Sequence, residues 1–257
     1  MRQFIADAFT EKIFGGNPAA VCLVESFPPE ETMLNIAAEN NLSETAFVMR
    51  DGEKFRLRWF TPAAEVDLCG HATLATGFVI LTQVEKNFPA VTFETLSGAL
   101  TVTRRAELFE MDFPAYVPKK ISVTAEMEDA LAAHVVEAYI ARDLLMVLDS
   151  AAAVESLRPN QSKLAELDGL IQAVTAAGDD CDCVSRVFAP KLAIAEDPVT
   201  GSTHCMIAPL WSSKLGRRKI FARQASARGG ILHCEVAGDR VKISGNAALF
   251  AVAELNV

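Results

Sequence analysis

Residues 97–115, SGALTVTRRAELFEMDFPA, return in outline as residues 229–247, GGILHCEVAGDRVKISGNA, with Gly98 falling on Gly230 at a constant offset of 132. Small, apolar and turn positions recur in step, and a repeat of this kind decides the fold before any single element does. Upstream, WFTP (Trp59 to Pro62), then acidic residues and CGHAT (Cys69 to Thr73), pairs with VFAP (Val187 to Pro190), then EDPVTGST (Glu196 to Thr203). Pro62 falls on Pro190 at an offset of 128, so a short insertion separates the two blocks. Several matches in one order describe two halves of about 115 to 130 residues with a seam near Pro114 to Pro118. The expected division is an N-terminal lobe over residues 1–116, joined by the last strand at about 248–257, and a C-terminal lobe over 117–247.

Within the first half, residues 2–9, 19–24, 45–50 and 54–61 alternate or run apolar and read as strands. Residues 29–40 (PEETMLNIAAEN) show helical periodicity after a Pro/Glu-rich start, and a second helix opens near Gly70 and runs through ATLATGFVILT. Strands return at 91–95, 99–104 and 108–113. The second half gives strands at 143–149, 170–176 and 183–189, a helix over 202–215, and strands at 219–224, 230–236 and 240–244. Strand-rich halves, each wrapped on one helix, are neither a βαβ alternation nor an all-β sandwich; they indicate an α+β fold with internal pseudo-symmetry.

The composition excludes several classes of function. The chain has 257 residues, 51% hydrophobic and 22% charged, with a net charge of −9. With no Lys/Arg block it lacks the electrostatic footprint that binding to a phosphate backbone needs, so nucleic acid is not an expected partner. The longest apolar stretches fall short of the roughly 20 residues that cross a bilayer, so no membrane span is expected. MRQFIADAFT has neither an apolar h-region nor a small-residue cleavage site and reads as the first strand of a cytoplasmic protein. Six cysteines (Cys22, Cys69, Cys181, Cys183, Cys205 and Cys234) match no CxxC metal pattern and are expected as reduced thiols.

Both repeated motifs place a glycine, Gly70 or Gly201, directly before a helix. A helix start leaves backbone N–H groups unsatisfied and carries partial positive charge, which suits a carboxylate or phosphate. The plainer alternative is that both glycines permit tight turns and that Thr73 or Ser202 caps its helix. No Walker A lysine, GxGxxG, HExxH or GxSxG is present. His71 and His204 fall inside the motifs, Glu44 lies between a helix end and an apolar strand, and Asp197 precedes Pro198. Each has an ordinary structural reading as a packed, solvated or turn residue. Residue chemistry alone thus stops at a two-lobed cleft suited to a small anion, with one or two carboxylates nearby.

Six segments taken together resemble the PhzF-like phenazine-biosynthesis isomerase family: DAFTEKIFGGNPAAVCLV (from Asp7), NLSETAFV (from Asn41), RWFTPAAEVDLCGHATLA (from Arg58), VSRVFAP (from Val184), EDPVTGSTHC (from Glu196) and QASARGG (from Gln224). The resemblance covers nearly the full chain, in the family's order. It implies the diaminopimelate-epimerase-like fold, in which two similar lobes each wrap a β-barrel-like sheet around a central helix. It also implies that Glu44 is the general acid/base, that His71, Asp197, Ser43 and Ser202 line the site, and that Gly70 and Gly201 present backbone N–H groups to a substrate carboxylate. The implied substrate is a small unsaturated, cyclic carboxylic acid, with no cofactor and no metal, and the implied assembly is a homodimer.

Two further functions stay open at this stage. A cofactor-independent amino-acid epimerase or racemase would use Cys69 as one thiol, although DPVTG offers no second thiol at Pro198 or Val199. A non-catalytic protein would keep the cleft to bind a small acid or a partner.

Overall fold

The computed structural model describes all of Met1–Val257. It divides into two compact units, Met1–Asp112 with Ser244–Val257, and Phe113–Ile243. No helix is long and apolar enough to cross a membrane, and none of the six cysteines is in a disulfide.

In the first unit the chain runs β1 (Arg2–Ala8), β2 (Asn17–Val24), α1 (Glu30–Asn40), β3 (Glu44–Asp51), β4 (Lys54–Phe60), β5 (Glu65–Val66), α2 (Gly70–Val79), β6 (Ala90–Thr95), β7 (Gly98–Arg105) and β8 (Leu108–Pro114). The C-terminal strand, Ala247–Glu254, returns to pair antiparallel with β1 (Phe4 opposite Val252). From there the sheet continues β1–β2 antiparallel, β2–β3 parallel with Ala19 opposite Glu44, β3–β4 antiparallel, β4–β6 parallel, then β6–β7–β8 antiparallel.

This curved sheet encloses α2, which packs on β1, β2, β3, β7 and the C-terminal strand. Small side chains make that possible, because Ala72, Thr73, Ala75, Thr76 and Gly77 are all buried. A helix apolar on every side belongs in an interior. Its threonine hydroxyls are satisfied internally, Thr73 on Cys69 O and Thr76 on Ala72 O at 2.7 Å, so their burial costs little. Gly77 allows the closest approach: a Cβ there would lie 2.5 Å from Val102 Cγ1 of β7. Past Val79 the helix widens into a π-turn over Ile80–Val84, closed by Glu85 N–H on Ile80 O at 2.7 Å. On the outer face α1 buries Met33, Ile36 and Ala37 against Cys22, Phe47 and Phe60. Burial of each large side chain there contributes about 1.5–3 kcal/mol. Asn41, left-handed at φ 48°, ends α1 and redirects the chain into β3.

The second unit contains β9 (Lys119–Ile121), α3 (Ala125–Leu131), β10 (Glu137–Ile140), β11 (Leu144–Val147), α4 (Ala151–Ser156), α5 (Gln161–Glu166), β12 (Gln172–Ala177), β13 (Cys183–Ala189), β14 (Ile194–Asp197), α6 (Gly201–Leu215), β15 (Lys219–Gln224), β16 (Gly230–Ala237) and β17 (Arg240–Gly245). Its sheet runs β9–β10–β11 antiparallel, β11–β12 parallel, β12–β13 antiparallel, β13–β15 parallel and β15–β16 antiparallel. Helix α6 packs on β15 and β16. The short α3, α4 and α5 close a separate core over Met146, Val174, Val184 and Phe188. Arg186 anchors that cover: it grips Glu196 through two bonds of 2.7 and 2.8 Å and caps α4 by donating to the Leu157 carbonyl at 2.7 Å.

Both units are therefore α+β with a helix against a curved sheet, and the repeat is structural. Strand β7 maps onto β16 at both ends, and Leu108 onto Arg240, at the offset of 132. The starts of α2 and α6 lie 131 residues apart.

Candidate active site

Glu44 is the first residue of β3, placed by the turn that ends α1. That junction is locked from behind. Asn40 and Gln3 exchange a pair of 3.1 Å amide hydrogen bonds, and Asn40 Nδ2 also donates to Thr45 Oγ1 at 3.0 Å. The next strand, β2, starts at Asn17, and α2 starts at Gly70 after its N-cap residue Cys69, so His71 lies in the first helical turn.

His71 Nε2 lies 3.1 Å from Glu44 Oε2, the two side chains being 7% and 13% exposed. The contact is close, but the ring N–H is poorly aligned with the carboxylate oxygen, and both atoms are buried without a directed hydrogen-bond partner. Unfilled polar capacity at a buried site calls for a reason, and a reacting group is one. On the other ring edge Asn17 Nδ2 donates to His71 Nδ1 at 3.2 Å. In the neutral ring Nδ1 accepts and the hydrogen sits on Nε2, facing Glu44; in the protonated ring both nitrogens carry a hydrogen, and the Asn17 amide turns over so that Oδ1 accepts from Nδ1. Cys69 Sγ lies 3.6 Å from Nδ1.

Burial, and then the Glu44 charge, push the Cys69 thiol above its ordinary range, so it is a neutral S–H. For His71 burial disfavours the charged ring, but the Cys69 sulfur and the Glu44 carboxylate outweigh it and hold the imidazole well above its usual value. With the thiol neutral, the Glu44 carboxylate is the charge beside the ring.

Ser43 sits half-buried just ahead of Glu44, and Gly70 half-buried ahead of His71. Neither α2 nor α6 has a side-chain N-cap hydrogen bond or an acidic residue in its first turn. The capping alternative therefore fails: Thr73 bonds back to Cys69 O, and Ser202 accepts from Arg142. Ahead of Ala72, whose N–H faces the Cys69 sulfur, the amides of Gly70 and His71 are left for another acceptor.

In the second unit Asp197 ends β14, Thr200 is the N-cap of α6, and Gly201 and Ser202 open the helix. The buried Gln224 holds this turn, accepting from Thr200 N–H at 2.9 Å and donating to Asp197 O at 2.8 Å. Thr200 Oγ1 donates to Asp197 Oδ2. Arg142 Nη2 donates to Ser202 Oγ at 3.0 Å while the same guanidinium pairs with the buried Asp143. His204 is a structural residue: Nδ1–H donates to Thr200 O at 2.8 Å, and burial pushes its pKa down to about 4.

At the offset of the helix starts, Cys69 corresponds to Thr200, His71 to Ser202 and Thr73 to His204. The N-cap position that carries a thiol in the first unit thus carries a hydroxyl in the second. Asn17, Asn40, Arg142 and Gln224 were not singled out in the sequence. Asn17 and Gln224 do stand inside two of the quoted motifs, whereas Arg142 and Asn40 have no local signal.

One set of donors in the first unit could hold a metal ion: Glu44, Cys69 and His71 each offer a ligand atom, all within 4.8 Å of one another.

A family model described as phenazine biosynthesis-like protein matches residues 6–253. An uncharacterized isomerase of Pseudomonas aeruginosa is 46% identical over 95% of this chain and 94% of its own length. The crystal structure of a phenazine biosynthesis protein of the PhzF family from Enterococcus faecalis superposes with a TM-score of 0.98 at 47% identity, covering 100% of this chain and 99% of that one. A probable proline racemase from Agrobacterium radiobacter aligns over 100% of this chain and 93% of its own with a TM-score of 0.64 at 13% identity. That last likeness concerns the fold, which is the expected epimerase-like α+β type.

Proposed function

The chain belongs to the phenazine biosynthesis-like (PhzC/PhzF) family, and from that premise we propose that it is a cofactor-independent isomerase that moves a proton within a small unsaturated carboxylic acid. The observation that carries the reading is the buried contact of Glu44 with His71 at 3.1 Å, both atoms having hydrogen-bond capacity to spare.

Ionised Glu44 takes a proton from a carbon activated by conjugation, and the C–H electron pair enters the conjugated system. A proton then returns to a different carbon, so the product is an isomer with no change in oxidation state. His71, kept protonated beside the carboxylate, steadies the anion and can deliver that proton. The uncapped amides of α2 are suited to the substrate carboxylate, since negative charge is favoured at a helix start.

An epimerase with one thiol acting from each half is less well supported, because Thr200 occupies the position equivalent to Cys69. The deciding experiment follows deuterium uptake from heavy water by NMR over a panel of cyclic unsaturated acids, with the native protein and Glu44→Gln. The proposal requires exchange and turnover with one panel member and their loss in the folded variant; undiminished turnover in Glu44→Gln would refute it. Exchange at an amino-acid Cα that is lost in Cys69→Ser would favour the epimerase instead.

A further inference from the structure

Zinc is bound by cysteine, histidine and the carboxylates of aspartate or glutamate, and the first unit gathers one of each kind around the start of α2. Their ligand atoms lie within 4.8 Å of one another. A tetrahedral zinc ion with bonds of about 2.0–2.3 Å holds its ligand atoms roughly 3.3–3.7 Å apart. His71 Nε2 and Glu44 Oε2 are already at 3.1 Å, and Cys69 Sγ is 3.6 Å from the same ring at Nδ1. Closing the site on one ion requires the Cys69 side chain to turn from the Nδ1 edge of the ring toward Nε2. Nε2 and Oε2 are also buried atoms with no directed hydrogen bond to give up, on a histidine 6% exposed. We infer that Glu44, Cys69 and His71 form an inhibitory site for a thiophilic divalent cation, zinc in the first instance.

Charge balance favours a divalent ion. A carboxylate and a thiolate neutralise it, the imidazole binds in its neutral form, and the buried site carries no net charge. The steps balance without oxidation: the Cys69 S–H and His71 Nε2–H bonds break, both protons leave to solvent, and sulfur–metal and nitrogen–metal bonds form in their place. Asn17 supports the histidine in either state. Turning its amide over presents Oδ1 to a hydrogen on Nδ1, the outer hydrogen bond typical of a metal-bound imidazole, and this frees the Nε2 lone pair for the ion. The ion would tie up the carboxylate assigned as the base together with its neighbour, so it acts as an inhibitor and not as a cofactor.

The test does not depend on any isomerase activity. Metal-free protein is titrated with zinc by calorimetry and with cobalt(II) by absorption. One ion per chain is expected, with a sulfur-to-cobalt charge-transfer band in the near ultraviolet and the visible bands of a four-coordinate ion. Cys69→Ala removes the charge-transfer band and weakens zinc binding about 100-fold, and Glu44→Gln weakens it about 10-fold or more. Cys181→Ser, at the one cysteine that is not buried, leaves both unchanged. Absence of a charge-transfer band in the native protein overturns the inference whether or not the variants fold. So does its survival in Cys69→Ala or its loss in Cys181→Ser.

Discussion

His71 Nε2 faces Glu44 Oε2 at 3.1 Å inside the first unit, and against the cost of burial the Cys69 sulfur and the Glu44 carboxylate hold the imidazole's proton affinity well above its ordinary range. A histidine with a raised value in the folded state stabilises the protein fully below the unfolded value near 6.5, and that contribution is lost as pH rises through the folded value. Carbon-13 NMR of labelled histidine should therefore find one ring still protonated above pH 7 in the native protein. In Glu44→Gln that titration moves to lower pH, because burial then opposes the charged ring without the carboxylate to offset it. A titration indifferent to the substitution would break the electrostatic coupling on which the proton-transfer reading stands.

Asn17 is fully buried with its amide 3.2 Å from His71 Nδ1, so it holds that edge of the ring and keeps Nε2 and its hydrogen toward Glu44. Asn17→Leu keeps the branching of the side chain and removes the amide. The protein should stay folded, at a cost of about 1–3 kcal/mol for the stranded ring nitrogen. Turnover of the substrate found in the exchange panel should fall about 10-fold to 100-fold in kcat with a smaller change in KM. A loss confined to KM would make Asn17 a binding residue and not a positioning one.

The parts of the molecule legible in the sequence are those where side-chain period and chain direction agree over many residues. Strands β4 and β13 and helices α1 and α6 fall within about a residue or two of their expected limits. The repeat locates α2 and α6 because a buried helix needs small residues and a turn before it, and both halves spell that out. The region from 119 to 166 was legible only at β11. There α4 buries just Ala151 and Val154, and α5 only Leu164, so neither has enough turns to show a helical period. Pairs closed by the fold over long separations were silent as well: Asn17 meets His71 across 54 residues and Arg142 meets Ser202 across 60. Phe109 and Phe113 lie in the core while Phe250 is half exposed against Phe14, a difference that strand alternation alone does not reveal.

The close approach of α2 to β7 at Gly77 gives a test of the packing. A methyl group there meets Val102 Cγ1 at 2.5 Å, with the Val102 Cβ and Cγ2 no more than 2.7 Å away. Gly77→Ala forces the helix off the sheet and should cost about 1–3 kcal/mol, against the usual gain from alanine in a helix. Val102→Gly in the same chain removes all three of those atoms, so the double variant should be more stable than the sum of the single effects predicts. Urea unfolding of the four proteins measures that coupling, and strict additivity would mean that the helix and strand are not in rigid contact.

His204 supplies the acid limit. Its ring is fully buried and neutral, donating to Thr200 O at 2.8 Å with Ser185 Oγ 3.5 Å from Nε2, and burial lowers its pKa from 6.5 to about 4. A depressed value means that the unfolded chain binds this proton first. The stabilisation is therefore complete above about pH 6.5 and drains away as pH falls toward 4, by about 3 kcal/mol in all. Native stability measured by urea between pH 7.5 and 4.5 should fall accordingly. His204→Gln, less stable at neutral pH because the packing is disturbed, should show a shallower decline, the difference in slope approaching one proton near pH 5. Parallel declines would place the acid sensitivity elsewhere and leave His204 as packing alone.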